Sequence, residues 1–396
     1  MRTIPVDAAI GLDPFGIAAD RLSPAAHATL QQLRETLERD VQPLLADAWE
    51  TASMPDGILD ALIPLELMSP AGVDEIEAGS SMFAGFRNYV LARTDVSVAT
   101  LYNAQAGLFR TLVARGGSAA QAAELDPLIR SFAVTGTFAL TEPEHGSDIA
   151  GGMATTAERV GGEWVIRGEK RWIGAAAASD LLAVFARDRA DGQVKAFLVP
   201  RTADGVIVSP IDGKIALRPM QNAVVALADV RVPDSARLAR ISSWHDVSAV
   251  LGALRSDVAW IATGLQAGAL EAAIAYVRRR EQFGRPIGGF QLVQEKLARM
   301  LGNLTASLAM VVQLSARQDA GEYRDESSAL AKLQTARMAR ETVALGREVA
   351  GGNGLLLEHD VARFFADAEA VYTYEGTHEV NSLIVGRALT GASAFV

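Results

Sequence analysis

The chain has 396 residues, 49% hydrophobic and 21% charged, a globular composition long enough for two or three subdomains. Its 37 Lys and Arg against 47 Asp and Glu give a net charge of −10, a field that repels a phosphate backbone and argues against nucleic acid as a partner. The absence of cysteine removes thiolate nucleophiles, zinc–thiolate sites, iron–sulfur clusters and disulfides together.

The opening MRTIPVDAAIGLDPFG lacks a basic start followed by an apolar core. No uncharged apolar stretch approaches the roughly 18 residues of a membrane helix, so a cytoplasmic protein without a membrane partner is expected. The closing SAFV is not a peroxisomal Ser-Lys-Leu address. From about Ser23 to about Arg130, segments such as AAHATLQQLRETLERDVQPLL repeat apolar positions at three and four and predict helices. Between about Ser131 and Pro233 the texture changes to short runs rich in Val, Ile, Trp and Phe: EWVIRGEKRWIG, DLLAVFAR, KAFLVP, GVIVSP and AVVALADVRVP. Tight Gly and Pro turns join them without helix-length crossovers, which predicts antiparallel strands.

After about Ser242 helical spacing returns, with Leu251, Leu254, Val258, Ile261 and Leu265 on one stripe. A second long helix follows Pro286, and a third runs from about Asp325 to a Gly351-Gly352 stop. The predicted fold is mainly α with a central antiparallel β domain: a helical domain over 1–130, a β domain over 131–241 and a helical bundle over 242–396.

The five histidines are scattered without the i, i+4 spacing of a helical metal site, so no metal is indicated. The glycines of AGGNG (350–354) follow a helix, whereas a Rossmann fingerprint follows a strand. No Gly-x-Ser-x-Gly elbow supports hydrolase chemistry.

Five longer strings remain: FALTEPEHGSD (138–148), EKRWIG (169–174), RRREQFGRPIGGFQLVQEKLARM (278–300), GREVAGGNG (346–354) and YEGTHEVNSLIVGRALTG (374–391). In order and spacing they resemble the acyl-CoA dehydrogenase family, over about residues 85–396. Within it the strings RWIG, MLGN, ARETVALGRE and TYEGTHEV are most similar to glutaryl-CoA dehydrogenases and plant short-chain acyl-CoA oxidases. The resemblance implies a three-domain fold, with an α bundle, a barrel-like β domain and a four-helix C-terminal bundle. It also implies FAD as cofactor, an acyl-CoA substrate, an electron-transfer flavoprotein as acceptor, and a homo-oligomer, expected to be a dimer of dimers.

For single residues the resemblance implies the following roles. Glu375 is the base that removes the α-proton while a β-hydride passes to flavin N5, giving the 2-enoyl-CoA. Such a carboxylate, buried beside Tyr374, gains proton affinity and becomes an effective base near neutral pH. On residue type alone the same acid also suits a helix N-terminus. Gly376 permits close backbone approach to the thioester, and Arg255 holds the base. Leu254 stands where some relatives carry an alternative base. Arg280 meets the FAD pyrophosphate of a neighbouring subunit, a contact suited to a guanidinium fork. Phe283 and Gln291 lie on the adenosine side, with the main chain of Glu348, Gly351 and Gly352.

Leu140, Thr141, Gly146, Ser147, Trp172 and Ile173 flank the flavin ring, Ser147 facing substrate as well, and Thr377 and Glu379 are further cofactor contacts. Most members follow the tryptophan with Ile-Thr-Asn, whereas this chain reads Ile173-Gly174-Ala175. Arg93 and Ser97 match a pair that meets a distal carboxylate in glutaryl-CoA dehydrogenases, but a local Arg93–Asp95 pair would neutralise that site. A short-chain and a dicarboxylic acyl-CoA both remain open, as do an acyl-CoA oxidase and a non-enzymatic DNA-binding relative.

Overall fold

The helices form where the three- and four-residue apolar stripes lie. In the computed structural model, which describes residues 4–394, the stripe beginning at Leu251 belongs to a 36-residue helix, Trp244–Arg279. Gln291–Asp319 and Asp325–Ala350 follow, then the shorter Asp360–Thr373 and His378–Thr390. The chain is mostly helical, at 57%, with one curled mixed sheet.

Contacts within the chain divide it into two units. The first contains the residues up to Thr100, the short segment Ile215–Pro219 and everything from Arg255 onward, so N- and C-terminal helices share one core. Missing side chains set their spacing. A Cβ on Gly85 of the Ser81–Thr94 helix would lie 2.2 Å from the Trp260 ring, and one on Gly264 would lie 2.3 Å from the Tyr89 carbonyl oxygen. Trp260 packs on Phe86 at 4.7 Å between centroids and donates to Ser315 Oγ at 2.9 Å, tying three helices together.

The second unit contains Leu101–Lys214 and Met220–Leu254. All five runs read as strands are strands: Glu163–Gly174, Leu181–Asp188, Val194–Pro200, Val206–Pro210 and Asn222–Pro233. Two more, Gly136–Ala139 and Thr156–Val160, lie along one edge of Leu181–Asp188 and pair with it in parallel. The other four pairings of the sheet are antiparallel, so it is mixed. The sheet's interior is apolar, with Trp164 and Phe197 at 5.2 Å among Ile166, Leu182, Val199 and Val225.

By length and composition two helices, Trp244–Arg279 and Gln291–Asp319, are apolar enough to cross a membrane. Inside the protein, 78% of the first one's apolar window is buried and 39% of the second's. The first is a core helix; the second leaves apolar surface uncovered.

Candidate active site

In the first unit, the helix Asp360–Thr373 ends at Tyr374 and the next begins at Thr377, whose hydroxyl accepts from Val380 N at 3.2 Å. Glu375 lies in the short turn between them, with φ +55°, followed by Gly376 at φ +85°. Left-handed backbone at a non-glycine residue is strained and persists only where its surroundings enforce it. Here the enforcing groups are Lys332 and Asn381. The Gly376 carbonyl accepts from Lys332 Nζ and from Asn381 Nδ2, both at 2.8 Å. The same ammonium donates to the Tyr372 carbonyl at 3.0 Å, in the last turn of the preceding helix. On the other side, the Tyr374 and Thr100 hydroxyls lie 3.4 Å apart.

Burial pushes the Glu375 carboxyl up to about 7, and the Asp257 charge adds to the effect while Arg255 and Lys332 oppose it. A base with that proton affinity is half ionised near neutrality and strong enough to accept a weakly acidic proton. Burial likewise brings the Lys332 ammonium down to about 8, partly offset by the Glu375 charge. Arg255 acts on Glu375 through space: its own ion pair is with Asp325, and its buried Nε has no hydrogen-bond partner. Leu254 is buried and apolar, so no carboxylate competes from that position.

Arg93 corrects the sequence reading. Its guanidinium is buried and paired with Glu271 at 2.5 Å, with Glu38 at 3.8 Å. Asp95 does not neutralise it: its carboxylate accepts from the Ser97 and Val98 N–H groups at 2.8 and 3.2 Å and from Trp49 Nε1 at 2.9 Å. Those bonds cap the helix Val96–Asn103 and turn the carboxylate away from Arg93. Ser97 is buried and its Oγ lacks a partner.

Arg280 directly follows the helix Trp244–Arg279 and is exposed, with no carboxylate within ion-pair distance among the described residues. Phe283, 93% exposed and at φ +54°, tips a hairpin of Glu281–Gln282 with Arg285–Pro286 and meets Phe290 edge-on at 6.0 Å. Gln291 opens the next helix, exposed. Glu348 is paired with Lys296, which leaves its main chain rather than its carboxylate for other contacts. Gly351 has φ +61°, and a Cβ at Gly351 or Gly352 would meet nothing within 4 Å. Glu379 is exposed beside the Thr377 cap.

In the second unit, Leu140 is buried, Thr141 half-buried, and Gly146 and Ser147 exposed with open space at the glycine. The segment is anchored by a pair absent from the sequence reading. Lys170 Nζ donates to the Leu140 carbonyl at 3.0 Å and to Glu142 at 2.8 Å. Glu142 also accepts from the N–H groups of Ala154 and Thr155 at 2.6 and 2.9 Å. Burial alone would raise Glu142, but the Lys170 charge and these donors hold it below the ordinary carboxylate value.

Trp172 falls in a bulge between Lys170 and Ile173, at φ +64°, and its ring is half exposed while Ile173 is buried. Its carbonyl accepts from Asn222 Nδ2 at 3.2 Å, and Lys214 Nζ donates to Asn222 Oδ1 at 2.8 Å and to the Met220 carbonyl at 2.6 Å. A Cβ on Gly174 would lie 2.5 Å from Met220 Cε, so the methionine fills the space that a side chain at this position would take.

The residues missed from sequence are thus Lys332, Asn381, Lys170, Glu142 and Met220. Lys332 alone carried a local signal. It sits at helical spacing between the buried Ala329 and Ala336, where a charge needs a partner.

A helical core thus holds a half-buried carboxyl of raised proton affinity, and a curled sheet presents a half-exposed tryptophan. Residues 137–230 match the acyl-CoA dehydrogenase middle domain and residues 244–390 the acyl-CoA dehydrogenase C-terminal domain, together more than half of the chain. A protein named as a probable acyl-CoA dehydrogenase of Bacillus subtilis (strain 168) is 36% identical over 271 residues, 67% of this chain and 70% of that one. A glutaryl-CoA dehydrogenase from Mycobacterium smegmatis, in complex with FADH2, superimposes with a TM-score of 0.89 at 30% identity, covering 96% of this chain and 98% of that one. Butyryl-CoA dehydrogenase from Megasphaera elsdenii gives 0.87 at 26%, covering 93% and 99%. The chain belongs to the acyl-CoA dehydrogenase family, whose members are FAD flavoproteins.

Proposed function

We propose that the protein is an FAD-dependent acyl-CoA dehydrogenase acting on a short, uncharged acyl chain, with Glu375 as the base that takes the α-proton. The observation that carries this reading is the Glu375 carboxyl, pushed up to about 7 in a turn that Lys332 and Asn381 lock. Bound FAD supplies the acceptor for the β-hydride. The chain's own features fit that cofactor in each unit: a half-exposed Trp172 and an open Gly146 in one, and in the other an Arg280 without an ion-pair partner among the described residues, an exposed Phe283 and the open glycines 351 and 352. The guanidinium fork of Arg280 suits a pyrophosphate, and Phe283 offers an aromatic face. An electron-transfer flavoprotein serves as acceptor, and uncovered apolar surface on Gln291–Asp319 favours a homo-oligomer.

Arg93 supports an uncharged acyl chain. Paired with Glu271 at 2.5 Å, it has no free charge for a distal carboxylate. One observation favours the dicarboxylic reading: Ser97 Oγ is buried without a partner among the described residues.

The test is anaerobic titration of the FAD-loaded protein with butyryl-, isobutyryl- and glutaryl-CoA, following the flavin band. Bleaching by butyryl-CoA ahead of glutaryl-CoA is expected. The reverse order would move the substrate to the dicarboxylic class, and rapid aerobic peroxide release would make the enzyme an oxidase. Tight duplex DNA binding without bleaching by any thioester would defeat the enzyme reading.

A further inference from the structure

We propose that Lys332 is the positioning residue of the base: by bridging the carbonyls of Tyr372 and Gly376 it fixes the turn that aims Glu375, and its charge sustains the ionised carboxylate. The proposal rests on Glu375 being the base. Its geometry is specific. The two carbonyls bracket the Thr373-Tyr374-Glu375 tripeptide, and one ammonium reaches both, at 3.0 and 2.8 Å. The Tyr372 carbonyl belongs to the last turn of its helix, where carbonyls have no intrahelical donor and the dipole favours a cation. A buried lysine is costly to keep charged, and this one has no hydrogen bond to a carboxylate among the described residues. Its hydrogen bonds go to the catalytic turn instead, and the carboxylate that acts on it most strongly is Glu375 itself.

The groups facing this pair come from three helices. Arg255 and Asp257 project from Trp244–Arg279, with Arg255 bound to Asp325 at the start of Asp325–Ala350. Glu379 comes from His378–Thr390. Arg255 acts on Glu375 more strongly than Lys332 does but is bound to Asp325; Lys332 is the cation whose hydrogen bonds reach the turn itself.

Removing the lysine charge while keeping a side chain of similar length leaves Glu375 more easily protonated. In Lys332→Met, anaerobic flavin reduction by butyryl-CoA should slow about tenfold near neutral pH. The acid limb of its rate profile should move to higher pH, so that much of the rate returns in alkaline buffer. The butyryl-CoA dissociation constant should stay within about twofold of the parent. Lys332→Arg, which keeps the charge, should restore part of the profile. Asn381→Ala removes a neutral donor from the same Gly376 carbonyl and should slow reduction without displacing the limb. A Lys332→Met profile superimposed on the parent's, or one depressed equally at every pH, would overturn the proposal. So would failure of both lysine variants to fold and bind FAD, which would make the role structural. Glu375→Gln separates the two levels: it should not reduce flavin at any pH, and a parent-like rate would defeat the base reading itself, whatever Lys332 does.

Discussion

A carboxylate whose proton affinity is raised by burial weakens the folded state wherever the unfolded chain would hold it ionised, and Glu375 is such a group. Its ordinary value is 4.5 and its folded value about 7. Between those values the folded state binds more protons than the unfolded one, so unfolding free energy falls as pH rises through that window. Lys332 runs the other way: lowered from 10.5 to about 8, it contributes stability above 10.5 that is lost as pH falls through 8. Near neutrality both charges therefore cost stability, as expected where a site is built for chemistry. Glu375→Gln should be inactive yet more heat-stable than the parent. Its advantage should grow from about pH 4.5 to about pH 7, stay level above, and approach at most about 3 kcal/mol. Thermal melts of both proteins across that range measure it; an advantage independent of pH would mean the side chain is well solvated.

Strand and loop in the second unit are joined by the Lys170–Glu142 pair, whose side chains are 0% and 3% exposed. Such a pair contributes little net stability over an apolar substitute, but removing one partner strands the other charge in the core. Lys170→Met should cost about 3–5 kcal/mol and release the Leu140–Thr141 segment from the strand, with calorimetry showing the loss. This element also marks how far sequence reading reaches. The β-branched strands and the long helices were legible, because burial imposes its period locally. Gly136–Ala139 and Thr156–Val160 were not, since short parallel strands depend on a partner far along the chain. Nor was the partner of Arg93: Glu271 is 178 positions away, and Asp95, close in sequence, serves as a helix cap. Glu375 was found through its surrounding string, whereas the left-handed turn that aims it appears only in the structure.

At the scale of the whole molecule, net charge and exposed groups argue in the same direction. In a chain at −10 an exposed arginine is a local basic site for an anion, and Arg280 stands exposed near Phe283, which is 93% exposed on a hairpin tip. Phe283 touches Phe290 edge-on and Arg280 has no ion-pair partner among the described residues, which leaves both side chains open to further contacts. Arg280→Ala should leave the melting temperature of the flavin-free protein within about a degree of the parent, because surface substitutions without partners change stability by about 0.5 kcal/mol or less. The same variant should lose FAD more readily on gel filtration, with its dissociation constant raised about tenfold or more for one lost charge-assisted phosphate contact. Phe283→Ser should weaken FAD binding too and shift the protein toward smaller assemblies in sedimentation, since the exposed ring is the apolar group a neighbouring copy would cover. Unchanged FAD affinity in both variants would leave the hairpin a surface feature and remove the argument that the cofactor site needs a second copy of the chain.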